Sequence, residues 1–194
     1  KNLFQIALDK GHMVRNAFWP INYIKVDVIT AQNVCAHTPE PLAFLKGVHD
    51  CLTDTGTAYI QTSQSQMYQR NEFDTTYHEH ISFFSVNSMQ TLAHRAGLVL
   101  TDVQLTPIHG DSYVFTLKHK GADVKPSVQT MIAQEVSDGR HNLSFYTQFG
   151  QNAKDILTQF KDIVDLFRQN GTKVIGYGAA AKGMTVLNAN NIQL

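Results

Sequence analysis

In residues 23–41, YIKVDVITAQNVCAHTPEP, a β-branched and apolar run gives way to a polar turn and then to two prolines. The run predicts a buried parallel strand over Tyr23–Thr30, because strands covered on both faces are apolar throughout rather than alternating. Pro39 and Pro41 fit the opening turn of a helix through Leu42, Phe44, Leu45, Val48 and Leu52, where a proline forfeits no helical hydrogen bond. Asp54-Thr55-Gly56 is the turn that ends this helix, and Thr57–Gln61 is the next strand. Upstream, Leu3, Phe4, Ile6, Ala7 and Leu8 form an apolar helix stopped at Gly11, and His12–Arg15 reads as a short strand. Helix, strand, strand, helix, strand with short connectors is the order of a doubly wound α/β sheet, in which ligands bind beyond the carboxyl ends of the strands. Residues 30–37 and 62–68 lie at those ends.

Downstream, Ser85 is placed to cap a helix over Val86–Ala96, Gly97 stops it, and Leu98–Leu105 and Tyr113–Lys118 form two antiparallel strands. Between Ser144 and Asn170 the apolar residues Phe145, Phe149, Ala153, Ile156, Phe160, Ile163 and Phe167 recur every three or four positions. That spacing predicts one long amphipathic helix that packs by its apolar stripe. Lys173–Tyr177 (KVIGY) reads as the first strand of a second α/β unit, and GAAAKG turns into a helix through Leu187.

The 194 residues are 43% hydrophobic and 16% charged, which suffices for a core in one large or two small domains. Sixteen Lys and Arg balance sixteen Asp and Glu, so net charge leaves no footprint for nucleic acid or an anionic membrane. No run reaches the ~20 apolar residues that span a bilayer. The two cysteines, Cys35 and Cys51, form neither a C-x-x-C pair nor a disulfide framework, so a reducing, cytoplasmic setting is expected.

Residues 70–85, RNEFDTTYHEHISFFS, place four proton-handling groups, Tyr77, His78, Glu79 and His80, between an acidic loop and an aromatic run. In an extended segment Tyr77 and Glu79 share one face and His78 and His80 the other, and a turn breaks that pairing. Histidine, with an ordinary pKa of ~6.5, is suited to take a proton near neutral pH. The residues alone leave three readings open: a general base, a solvated or capping loop, and a metal site through His78 and His80. The last has no third or fourth ligand at the usual spacing. In Gly176–Gly183 (GYGAAAKG), small residues let backbone amides approach an anion and Lys182 adds a charge, which suits a diphosphate. Tight packing of a helix on a sheet is the alternative there.

Four motifs in order, AQNVCAHTPEP, NEFDTTYHEHISFFS, LTPIHGDS and GYGAAAKGMTVLN, resemble the S-adenosylmethionine (SAM)-dependent sugar C-methyltransferases, which act on nucleotide-linked 4-ketodeoxysugars. The resemblance runs from about residue 31 to residue 188. It implies a Rossmann-like SAM-methyltransferase domain over residues 1–72, then a catalytic segment and an α/β sugar-nucleotide-binding domain with a second Rossmann-like unit over 73–194. In the family a zinc-binding domain and the first strand, glycine-rich loop and helix of the SAM fold stand ahead of the position of Lys1. The resemblance therefore implies a fragment that begins inside the SAM domain and binds SAM weakly or not at all.

The resemblance further implies SAM as cofactor and methyl transfer to a carbon beside a ketone. His80 would be the base, Glu79 would raise or orient a neighbouring base, Tyr77 would donate to the enolate oxygen, and His37 would complete the catalytic group. Ala31, Gln32 and Asn33 fall at the methyl donor; His78, Gly176, Tyr177, Gly178, Ala179 and Lys182 fall at the nucleotide sugar; no metal is implied. Gln32 stands where the family usually has Asn, and Asp111 where it has a second glycine. Two rivals are a non-catalytic nucleotide-sugar-binding remnant and a metal-dependent enzyme using His78 and His80.

Overall fold

A computed structural model of the chain describes residues 3–21, 24–63 and 66–192. Its centre is a four-stranded sheet of β1 (Val26–Gln32), β2 (Leu52–Ser63), β3 (Leu98–Thr106) and β4 (Ser112–His119), in the order β1-β2-β4-β3. β1 and β2 run parallel, while β4 is antiparallel to both β2 and β3. The helices are α1 (Leu3–Asp9), α2 (Pro41–Cys51), α3 (Met67–Arg70), α4 (Val86–Arg95), α5 (Pro126–Ser137), α6 (Leu143–Gln169) and α7 (Ala181–Ala189). The architecture is α/β, as expected from the order of elements.

β1 and β2 are joined by α2, the crossover that a parallel pair requires. Pro41 opens α2, and Phe44, Leu45, Val48 and Cys51 turn its buried face to the sheet. The turn signal Asp54-Thr55-Gly56 falls inside β2, where the pairing with β1 jumps from Val26↔Leu52 to Val28↔Thr57. The signal is met by an irregularity that takes up extra residues without ending the strand. α4 starts at a capping box in which the Ser85 hydroxyl accepts from Ser88 N and the Ser88 hydroxyl accepts from Ser85 N. The buried Glu135 of α5 closes the same helix end, accepting from Val86 N at 2.7 Å and Asn87 N at 3.1 Å.

The core joins α2, α4 and Val128 of α5 to one sheet face through Ala58, Ile60, Leu100, Phe115 and Leu117. Leu45, Val48, Leu52, Ile60, Phe115 and Leu117 are fully buried, each contributing ~1.5–3 kcal/mol of apolar transfer.

Three expectations are corrected. β1 is half-covered rather than buried on both faces: Ala31 is in the core but Val28 is 59% exposed, because the described residues pack only one side of it. The beginning of that predicted strand, Tyr23, lies outside the described residues, as do 64 and 65 of the 62–68 segment. Residues 12–15 form no strand, and neither do residues 173–177, where Ile175 and Tyr177 stand exposed. Among the described residues neither segment pairs with a neighbouring strand, and a lone extended segment has nothing to satisfy its backbone groups but water. The second α/β unit is therefore present only as its helix, α7.

Candidate active site

The carboxyl end of β1 turns sharply at Asn33, which sits at φ 52° while its amide donates to Gln61 O of β2 at 3.1 Å. Asparagine tolerates this left-handed conformation better than most side chains. Its Oδ1 is buried without a partner, and so are Gln61 Nε2 and Thr62 Oγ1 at the neighbouring end of β2. The chain then enters a 3₁₀ turn, Cys35–His37, that presents the His37 ring.

The Tyr-His-Glu-His segment is a turn and not an extended strand: His80 N donates to Tyr77 O at 2.9 Å. Consequently residues three apart meet, and the Tyr77 and His80 rings stack at 4.2 Å between centroids. The His80 Nδ1 lies 2.7 Å from Thr75 O. A carbonyl can only accept, so Nδ1 carries the proton and Nε2 offers its lone pair, which receives the Tyr77 hydroxyl at 3.1 Å. The same argument applies to His37, whose Nδ1–H donates to Glu79 O at 2.7 Å and whose ring lies 4.9 Å from that of His80.

Burial lowers the His80 pKa, against the Thr75 hydrogen bond that raises it, with His37 and Lys182 adding to the lowering and Glu79 opposing. The ring is therefore neutral, and basic at Nε2, at neutral pH. Burial, helped by the Glu79 charge, raises the Tyr77 pKa and keeps the phenol protonated. A neutral imidazole receiving a hydrogen bond from a phenol is a device for accepting a proton.

Asn33, His37, Ser63, Thr75, Tyr77, His80, His109 and Lys182 line one cavity of about 170 Å³. Whole drug-sized ligands take roughly 300–1,000 Å³. This space suits the reacting end of a guest. Larger clefts of about 480 and 460 Å³ lie beside α4, where His94 is part of the lining, and over β3, where Asp102 is, but neither contains a histidine hydrogen-bonded to a phenol.

Tyr77, His80, His37, Asn33 and Lys182 are thus brought together. Glu79 contributes its carbonyl to the site while its side chain is exposed, and His78 is exposed. Ala31 is packed in the core and Gln32 is exposed. Gly176, Tyr177, Gly178 and Ala179 are exposed and line no part of this cavity. Because the segment turns, His78 and His80 do not share a face. Among the described residues no group of three or more His, Cys, Asp or Glu could hold a metal ion.

Sequence reasoning missed Ser63, Thr75 and His109. His109, Gly110 and Asp111 all have positive φ, a tight turn braced by the Arg70–Asp111 ion pair at 2.5 Å, and the IHGD motif was its visible trace. Thr75 acts through its backbone carbonyl, which leaves no mark in a side-chain pattern.

The fold is α/β, with a candidate active site at the carboxyl ends of β1 and β2. A methyltransferase domain matches residues 5–103, and a C-methyltransferase C-terminal domain matches residues 107–194. The C-methyltransferase NovU of Streptomyces niveus is 34% identical over 157 residues, a span that covers 79% of this chain and 37% of NovU. The chain therefore spans little more than a third of that relative's length. Among solved structures, LepI in complex with SAM aligns at TM-score 0.42 and 10% identity, over 52% of this chain and 28% of LepI. TnmH aligns at TM-score 0.40 and 21% identity, over 50% of this chain and 32% of TnmH. The chain belongs to the SAM-dependent C-methyltransferase family.

Proposed function

We propose that the protein methylates a carbon next to the ketone of a nucleotide-linked keto-deoxysugar, with SAM as methyl donor. The observation that carries this reading is the His80 imidazole, locked through Nδ1 on Thr75 O and hydrogen-bonded through its basic Nε2 to the Tyr77 hydroxyl, in a cavity that both residues line. C-methylation beside a carbonyl needs such a group, because the carbon becomes nucleophilic only when its hydrogen leaves as a proton. When bound, SAM supplies an electrophilic methyl group on a sulfonium.

The residues present fit a polar guest at the strand ends. The orphaned Oδ1 of Asn33, a residue that lines the cavity, is a buried acceptor without a partner. Asn33 would hold the methyl donor at the end of β1, where open α/β sheets take their ligands. His37, fixed by Glu79 O, would flank the sugar and exclude water from the base. Two buried, free cysteines accord with a reducing, cytoplasmic setting.

The test is exchange of the hydrogen beside the ketone with deuterated solvent, followed in the absence of SAM on a thymidine-diphosphate-linked 4-keto-6-deoxyhexose. The intact protein should catalyse it, and absence of exchange above the uncatalysed rate would sink the proposal.

A further inference from the structure

We propose that Lys182 is the counter-charge for the enolate oxygen formed when the substrate loses its proton, and not a contact to the substrate's diphosphate. This rests on the function proposed above and deepens it. Lys182 is the second residue of α7, which packs against the 3₁₀ turn Phe73–Thr75 just ahead of the catalytic turn. That packing brings the lysine into the cavity of Tyr77 and His80, whereas the glycine-rich residues 176–179 stand outside it in solvent. A phosphate cradle needs lysine and glycine amides to converge on one anion. Here they face different places.

The hydrogen-bond inventory of the cavity supports the same assignment. In the resting cavity the Tyr77 hydroxyl donates to His80 Nε2, and once it yields that lone pair to the substrate's proton it is a neutral donor without the positive charge that a developing oxyanion favours. The Nδ1–H groups of His37 and His80 are committed to Glu79 O and Thr75 O. Of the described residues lining the cavity, Lys182 alone carries a fixed charge, and its ammonium has three donors on a flexible stem. Its field reaches the reacting group: after burial, Lys182 joins His37 in holding the His80 pKa down.

The step balances as follows. The Tyr77 hydroxyl releases the Nε2 lone pair, the C–H electron pair becomes the C=C bond of the enolate, the carbonyl π pair moves onto oxygen, and the proton goes to His80 Nε2, giving an imidazolium that can donate back to the phenol oxygen. Lys182 slightly disfavours the imidazolium but favours the oxyanion, and a cation placed where negative charge develops is worth more in the transition state than in the ground state.

The experiment is Lys182→Met and Lys182→Arg in the intact protein, read by solvent deuterium exchange on the same keto-sugar nucleotide without SAM. The expected result is a fall of about 10²–10³ in exchange rate for Lys182→Met, the loss typical of one oxyanion-stabilising donor. The KM for the sugar should change little, and Lys182→Arg should recover part of the rate. The acid limb of the profile should also move to higher pH in Lys182→Met. His80 is faced by Tyr77 and Glu79 on its own turn, His37 beyond β1, His109 from the β3–β4 loop and Lys182 from α7, and only the last is changed. A raised KM with an unchanged saturated rate would return Lys182 to the diphosphate and overturn the assignment. Full exchange in both variants with unchanged KM would also overturn it. Exchange absent in the wild type would instead remove the function on which it rests, and the assignment with it.

Discussion

The turn Tyr77–His80 and the loop Gly176–Ala179 both stand out in the sequence as places where chemistry could happen, yet their surroundings differ. The turn is tied to its neighbours by the His80–Thr75 O bond, the His37–Glu79 O bond and the ring contact between His37 and His80. The loop is exposed, and a Cβ built on Gly178 would meet nothing within 4 Å. A proton-transfer site needs side chains held in one geometry, and in this molecule backbone carbonyls supply that hold. A glycine-rich composition specifies what a loop can approach, but not what approaches it.

The largest expected effect tests the braced side of this contrast. His80→Ala should lower deuterium exchange at the carbon beside the ketone by ~10²–10⁴, the range for losing a general base. SAM affinity, read by calorimetry in the intact protein, should stay close to wild type. Unchanged exchange would mean that the brace serves structure alone.

A smaller effect concerns pH. Since burial leads the lowering of the His80 pKa, the acid limb of exchange should fall below the ordinary histidine value of ~6.5. The sign for stability follows: the unfolded chain binds this proton first, so His80 costs stability as pH drops from ~6.5 towards its folded pKa. An acid limb at or above 6.5 in the exchange profile would contradict the burial argument.

Local sequence patterns announced most of the sheet and the helices that cover it. The capping box at Ser85, Pro41 at the start of α2, the period of α6 and Gly97 before β3 each encode their element within a few residues. What local pattern does not encode is pairing. Residues 12–15 and 173–177 have strand-like composition, but a strand exists only where a neighbour accepts its hydrogen bonds. The site was legible in the same proportion. Tyr77, His80, His37 and Asn33 could be named from their motifs, whereas the turn that joins Tyr77 to His80 and the carbonyl of Thr75 depend on backbone geometry. Glu135 was equally hidden, because its task, capping α4 from 48 and 49 residues away, leaves no periodic trace.

The smallest effects come from two glycines that share a conformation and differ in company. Gly97 has φ +87° and Gly178 φ +94°, so an added methyl group strains the backbone at both by ~1–2 kcal/mol. At Gly97 the new Cβ would also sit 3.0 Å from His49 Cδ2, on a ring bonded to Asp50 at 2.9 Å and edge-on to His119 at 4.7 Å. Gly97→Ala should therefore cost the strain plus the displacement of His49, and thermal unfolding should register the larger loss there. Gly178→Ala should cost only the strain, and should leave both the exchange rate and the KM for the keto-sugar nucleotide where they are. If Gly178→Ala instead raised that KM, the loop would be gripping the substrate through its backbone, and the contrast with the braced turn would be one of partner rather than of order.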